Sequence, residues 1–252
     1  MDKLLKELKA FYKKEGRGHL PWRTTRDPYK ILVSEVMLQQ TQVSRVIDYY
    51  NRWIKKFPTA KALAEAPLSD VLKEWQGLGY NRRGKYLWES AKILSKKSSG
   101  RPSAGTSARL FSQEYFASLP GVGPYTAGAV VAFAFNKPTV FIETNIRTVF
   151  LHYFYANVLQ NTAIAKISDA ELLPLVAKAL KQSNMQPRDF YAALMDYGSY
   201  LKSTGVRTNS KSKHYSKQSK FEGSTRQKRA AKLRKLLAKG ASDKQLEKLL
   251  HS

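Results

Sequence analysis

Glu35 lies in the run Ile31-Leu32-Val33-Ser34-Glu35-Val36-Met37-Leu38, a single carboxylate among apolar side chains. Burying an unpaired carboxylate is costly. Two arrangements are therefore open: a glutamate at the stripe's edge reaching water, or a desolvated acid of raised pKa kept for proton transfer. Further along, Leu119-Pro120-Gly121-Val122-Gly123-Pro124-Tyr125-Thr126-Ala127 sets two glycines between apolar runs, which allows a tight turn with positive φ. A helix, such a hairpin and the start of a second helix present bare backbone N–H groups, and that corner binds a phosphate. The same string also fits an ordinary corner between helices. A second carboxylate, Glu143, follows in Val140-Phe141-Ile142-Glu143-Thr144-Asn145-Ile146-Arg147.

The elements that must position these groups read as helices throughout, with no alternating strand pattern and no internal repeat. Residues 2–15 form a basic amphipathic helix with Leu4, Leu5, Leu8, Phe11 and Tyr12 on one face. Asp27-Pro28 reads as the cap and first turn of a helix from Tyr29 to Thr41, which carries Glu35. Helices are expected over Val43–Phe57, Leu68–Gln76, Lys85–Ser95, Phe111–Leu119, Thr126–Phe135, Leu151–Asn157 and Ala170–Gln182, and through Phe190–Gly198. Gly77 and Gly79 break the chain before Tyr80-Asn81-Arg82-Arg83, a loop aromatic beside cations that suits insertion into a base stack or burial in the loop. Gln39 and Gln40 read equally as solvated helix-end amides or as contacts to a nucleic acid. Ser98–Ser107 is a Gly/Ser/Pro linker.

Composition bounds the partner. The 252 residues carry 44 Lys+Arg against 19 Asp+Glu, a net charge of +25 that predicts a polyanion, as ribosomal and membrane-surface proteins also show. There is no cysteine, which removes disulfides, thiolate zinc and a cysteine-held iron–sulfur cluster. No apolar run reaches membrane-span length and the start lacks a signal-peptide core, so the expectation is a soluble intracellular protein, cytoplasmic and nucleoid-associated if bacterial. Residues 202–252 hold fifteen Lys/Arg against Glu222, Asp243 and Glu247. Lys202 to Gln218 reads as a mobile polar linker, followed by basic helices over Arg226–Ala238 and from Ser242 through Leu250, whose default role is non-specific phosphate contact.

The strings around Glu35 and the hairpin resemble the helix-hairpin-helix DNA glycosylase superfamily that includes endonuclease III and the adenine DNA glycosylases (MutY type). The resemblance covers roughly residues 20 to 200. It implies that Glu35 is the general acid protonating the departing base, at N7 for a purine. It implies that Glu143 stabilises the sugar's oxocarbenium ion or attacks C1′ transiently, two carboxylates dividing one task as in glycoside hydrolysis. Tyr125 stands where strand-cutting members carry a lysine for a Schiff base, so the implied enzyme is monofunctional and leaves an abasic site. By the same resemblance Asn145 joins the catalytic group, and Trp22, Arg23 and Leu38 line the base pocket. Gln39, Gln40, Tyr80, Asn81, Arg82, Gly121, Val122, Gly123, Thr126 and Arg147 contact DNA, with Tyr80 as the wedge. A monovalent cation at the hairpin backbone, through Leu119 and Val122, is implied; no metal site is built from side chains.

Three departures accompany the resemblance. The acid after the hairpin is usually Asp, and Glu143 is one methylene longer, a displacement of roughly 1.5 Å. Adenine-specific members carry an acid or amide where Ala192 stands. The C-terminal domain that reads 8-oxoguanine and the cluster loop have no counterpart before Ser252. The expected fold is all-α and two-lobed: residues 21–134 as a helical barrel ending in the hairpin, residues 1–20 plus 135–201 as the second lobe, and 202–252 as a basic tail. The active cleft is expected between the lobes. The expected activity is excision of a mispaired base from duplex DNA by a monomer, adenine opposite guanine or 8-oxoguanine first. Thymine or uracil opposite guanine, and a catalytically silent DNA-structure binder, are the alternatives.

Overall fold

A computed structural model describes residues 1–98, 112–156, 166–217 and 220–251. The described residues are all-α, with a single isolated β-bridge between Ile167 and Ser212. The chain forms two compact units, Thr24–Val130 with Gln218–Ser252, and Met1–Arg23 with Val131–Lys217.

In the first of these, α2 (Pro28–Leu38) starts where expected, because the Asp27 carboxylate accepts from the Tyr29 amide at 2.9 Å and Pro28 needs no donor there. Its residues from Tyr29 to Met37 are buried except Lys30, so the helix is covered on every side. Around it come α3 (Val43–Lys56), α4 (Ala60–Glu65), α5 (Leu68–Trp75), α6 (Arg82–Ser98), α7 (Gln113–Ala117) and the start of α8 (Pro124–Phe135). Trp53 meets Trp75 edge-on with ring centroids 5.4 Å apart, and its indole N–H donates to the Tyr29 hydroxyl at 3.3 Å. The six-residue α4 was not expected; its signal is Thr59, whose hydroxyl accepts from the Ala62 amide at 3.1 Å. The helix expected over Phe111–Leu119 is shorter, capped by Ser112, and Phe111 and the Ser98–Ser107 linker from residue 99 onward lie outside the described residues.

The other unit holds α1 (Asp2–Glu15), a 3₁₀ turn at Pro21–Arg23, the end of α8, α9 (Thr144–Phe154), α10 (Asp169–Ser183) and α11 (Pro187–Ser203). The helix expected over Leu151–Asn157 starts earlier, at Thr144, and residue 157 is outside the described residues. From Phe190 to Gly198 α11 is buried without interruption. A charge within that run, Asp196, is held by Arg17 through its backbone amide at 2.9 Å and its Nε at 2.8 Å, and by Arg23 at 3.3 Å. Pairing and hydrogen bonding offset the desolvation of that carboxylate and fasten the 17–23 segment to α11.

Residues 202–252 are not one appendage. Up to Lys217 they belong with the α9–α11 unit, and from Gln218 with the α2–α8 unit. The expected mobile linker contains a 3₁₀ turn at Thr208–Lys211, a buried Ser212 and a hydrogen bond from Thr208 Oγ1 to the Thr148 carbonyl at 3.3 Å. Backbone pairing with Ile167, from Ile167 N to Lys211 O at 3.0 Å and Lys213 N to Ile167 O at 2.9 Å, orders a segment whose composition alone suggests none. Two helices, α12 (Thr225–Ala238) and α13 (Asp243–His251), complete the tail. No helix among the described residues is long and apolar enough to cross a membrane.

Candidate active site

Glu35 is 4% exposed, so the solvated-edge arrangement does not hold. The Tyr125 hydroxyl donates to its Oε2 at 2.5 Å, a short, charge-assisted type of contact if the acid is ionised. The helix that carries the acid and the hairpin that carries Tyr125 are thereby joined. Gln39 Nε2 donates to Thr126 Oγ1 at 3.4 Å, a second and weaker tie between the same two elements.

The hairpin turns on Gly121 alone: Gly123 is outside the left-handed region, and a Cβ there would meet nothing within 4 Å. Gly121 has φ of +71°, and a Cβ there would lie 2.7 Å from the Tyr86 ring. Val122 N donates to the Leu119 carbonyl at 3.1 Å, and Ser90 Oγ to the Pro120 carbonyl at 3.1 Å, which fix the turn from inside. Gly121 and Gly123 are exposed, whereas the side chains of Val122 and Thr126 are buried. Any contact with a ligand at the last two is consequently through the backbone.

At the other end of α2, Arg83 does what no sequence motif announced. Its guanidinium donates to the carbonyls of Val36 (2.8 Å), Met37 (3.3 Å) and Gln39, and to those of Leu78 and Gly79 (both 3.1 Å). It thus satisfies the C-terminal carbonyls of the Glu35 helix and pins the two-glycine loop to them. Burial pushes its pKa down to about 10, so it remains a cation at neutral pH. The one hint in the sequence was the second arginine of Asn81-Arg82-Arg83 after the Gly77-Leu78-Gly79-Tyr80 loop, whose turned backbone leaves carbonyls in need of donors. Leu38 and Gln39 are half-buried, and Gln40 is exposed in the left-handed region with φ of +59°. Tyr80, also left-handed at +47°, is 38% exposed, Asn81 is half-buried and Arg82 exposed.

Glu143 lies in the other unit, where it caps α9. Its Oε1 accepts from the amides of Asn145 (2.8 Å) and Ile146 (2.9 Å), and its Oε2 from Asn145 Nδ2 (3.2 Å). The residue keeps intermediate exposure, yet desolvation is the largest influence on its carboxyl and raises the pKa. The two amides, Lys202 and Arg147 pull the other way without overcoming it. Lys202 itself is driven down by burial, an effect partly opposed by Glu143, and no local pattern signals this pairing. Asn145 Oδ1 is buried and has no hydrogen-bond partner among the described residues.

Gly198 sets the distance between α11 and this cap, because a Cβ there would come 2.2 Å from the Asn145 carbonyl oxygen. That neighbour is backbone and cannot swing aside. Gly198→Ala is expected to destabilise the chain by about 1–3 kcal/mol, read as a Tm lower by several degrees in a thermal melt. An unchanged Tm would show that α9 yields freely.

One assignment needs correction. Arg147, expected on DNA, is 7% exposed, with Nε and Nη2 forked on the Asp169 carboxylate at 2.7 and 2.8 Å. It ties α9 to α10, and its partner 22 residues away was not visible from the local string. Ala192 is 1% exposed within α11 and offers no polar group to a base. In the 3₁₀ turn Trp22 is buried, and the half-buried Arg23 is engaged by Asp196 and lies over the Phe133 ring at 5.3 Å.

Residues 33–174 match the family described as the HhH-GPD superfamily base excision DNA repair protein. An adenine DNA glycosylase of Buchnera aphidicola is 40% identical over 159 residues, 62% of this chain and 42% of its own length. One from Mycolicibacterium smegmatis is 37% identical over 193 residues, 76% of this chain and 61% of its own. The chain therefore spans less than two thirds of these relatives. Among solved structures, a thermostable thymine-DNA glycosylase superposes with a TM-score of 0.63 at 28% identity, covering 79% of this chain and 85% of that one. An endonuclease III–DNA complex gives 0.57 at 20% identity over 79% and 84%, a likeness of fold.

Proposed function

Because the chain belongs to the HhH-GPD superfamily of base excision DNA repair proteins, we propose that it is a monofunctional DNA N-glycosylase acting on duplex DNA as a monomer. Its first substrate in this reading is adenine mispaired with guanine or 8-oxoguanine. The observation that carries the proposal is the hydrogen bond between buried Glu35 and half-buried Tyr125, an acid tied to the two-glycine hairpin with a phenol where strand cleavage needs an amine.

The base must first leave the stack, and the amides of Gly121 and Gly123 with the N-terminus of α8 suit the flanking phosphates. Glu35 gives its proton to N7 as the C1′–N9 bond breaks and its electron pair moves onto the base. Glu143 stabilises the cation left on the sugar. Water then adds at C1′ and its proton passes to the Glu35 carboxylate left by the first transfer, which completes hydrolysis and restores the acid; the open acceptor of Asn145 Oδ1 suits that water. A monovalent cation belongs to the same reading. The Leu119 carbonyl accepts one hydrogen bond and keeps a second lone pair, and with the Val122 carbonyl it would hold the ion to supply positive charge near a phosphate.

The alternative substrate, thymine or uracil opposite guanine, is favoured by the apolar, buried Ala192 and by the likeness to the thymine-DNA glycosylase. Single-turnover assays on A:8-oxoG, A:G, T:G and U:G duplexes, with alkali to expose abasic sites, decide between them. Product from the adenine duplexes alone supports the first reading, and product from T:G or U:G the second. No product from any of them, with tight binding, supports a DNA-structure binder.

The phenol makes a separate prediction. Tyr125→Lys places an amine beside Glu35, and borohydride should then trap a covalent enzyme–DNA adduct that the parent does not form. No adduct with a variant that still excises would count against this placement of Tyr125.

A further inference from the structure

The tail is anchored to the α2–α8 unit by exchanges of helix caps. Pro67, at the N-cap of α5, has no side chain able to accept a hydrogen bond. Asp243 supplies the cap from far along the chain, its carboxylate accepting from the amides of Leu68 (3.2 Å) and Ser69 (3.3 Å). In return the Arg82 guanidinium donates to the Leu250 carbonyl near the end of α13. Leu233, Leu237, Leu246, Leu249 and Leu250 are buried beneath.

This docking fixes what α12 presents. Thr225–Ala238 contains Arg226, Lys228, Arg229, Lys232, Arg234 and Lys235 and no acidic residue, and all of these but half-buried Arg226 are exposed. Arg226 Nη1 donates to the Tyr80 hydroxyl at 2.9 Å, and its guanidinium lies 5.1 Å from the centre of the Tyr80 ring. Arg83 lies 5.5 Å from the same ring. Tyr80 thus sits with a cation from the body of the unit and another from the tail.

We infer that the exposed face of α12 is a binding surface for the phosphate backbone of duplex DNA, continuous with the Tyr80 loop and coupled to it through Arg226. The identity of its ligand rests on the proposed excision of bases from duplex DNA. Helix α12 holds six cations and no acid, and of the tail's three acids, Glu222, Asp243 and Glu247, the Asp243 carboxylate is engaged as the cap of α5. Arg226 bridges the surface to the residue expected to enter the base stack, so gripping the backbone and inserting the tyrosine act on one connected element.

The test uses the full chain with Lys228→Gln, Arg229→Gln and Lys232→Gln combined, all exposed positions, with a thermal melt to verify folding. Binding to an A:8-oxoG duplex is measured as a function of salt. Every phosphate that the protein ceases to neutralise makes the slope of log K against log salt shallower by about 0.9, so the triple variant should flatten it by about 2–3. A control removes equal charge from α1 through Lys6→Gln, Lys9→Gln and Lys13→Gln, and should alter the slope far less. An unchanged slope in the α12 variant overturns the inference, as does an equal change in the control, which would make the effect one of net charge. A parent that binds no duplex, or a single-stranded RNA with a steeper slope than duplex, overturns it too. Excision by the parent with an unchanged α12 slope defeats this inference alone. A slope reduced in the α12 variant, with a parent that excises no base from any duplex, defeats the proposed activity alone.

Discussion

Glu35→Gln is expected to slow single-turnover excision by about 10²–10⁴-fold, the usual contribution of general acid catalysis, with duplex affinity within a few-fold of the parent. The substitution keeps the side chain's size, and a glutamine carbonyl can accept the Tyr125 hydroxyl as Glu35 Oε2 does at 2.5 Å. What it removes is the transferable proton. The residue is 4% exposed, so bulk water is poorly placed to stand in for it. Binding should survive, because the hairpin amides and the cations of the Tyr80 loop are untouched. Gel shift or anisotropy on the same duplexes separates the two effects. Excision retained within about tenfold would remove Glu35 from the role of acid. Affinity falling in parallel with rate would make its role structural.

The elements were largely legible because each has a local cause. Asp27-Pro28 announces α2, the two glycines announce the hairpin, and unbroken apolar spacing announces α11. What escaped depends on partners distant in sequence. Arg83 was seen as one of two cations by a loop, whereas its work lies on carbonyls 44 to 47 residues earlier. Arg147 looked available for phosphate until Asp169 claimed it. Lys202 to Gln218 looked mobile because it is polar and low in complexity, and the anchor of the two helices after it, the Asp243 cap on α5, spans 175 residues at Leu68. Local pattern reports helices and turns; it does not report which buried carbonyl or amide will need a donor or acceptor from elsewhere.

Glu143 joins stability to activity with opposite signs, and this yields the second large effect. Its carboxyl has a pKa raised above the ordinary 4.5, chiefly by desolvation. Between 4.5 and that raised value the folded chain holds a proton the unfolded chain has lost. Its contribution to stability therefore falls as pH rises through the window. The ionised form is the one that stabilises a developing sugar cation, so excision should rise through the same window. Lys202 and Arg147 favour ionisation, and so do the amides of Asn145 and Ile146, which keep the window from extending further up. Glu143→Gln is expected to lower the rate by about 10²–10³-fold, the scale of losing one electrostatic stabiliser. It should also flatten that acidic limb of the rate profile and the matching slope of stability against pH. The cap itself should cost little, because a glutamine carbonyl still accepts from the two amides; what is lost is the long bond from Asn145 Nδ2 to Oε2 and the charge at the helix N-terminus, about 0.3–1 kcal/mol. Single-turnover rates and urea midpoints measured at the same series of pH values test both halves. A variant that loses rate while keeping the parent's stability slope would place the titration on another group. One that keeps rate would show that the longer carboxylate serves only as the cap of α9.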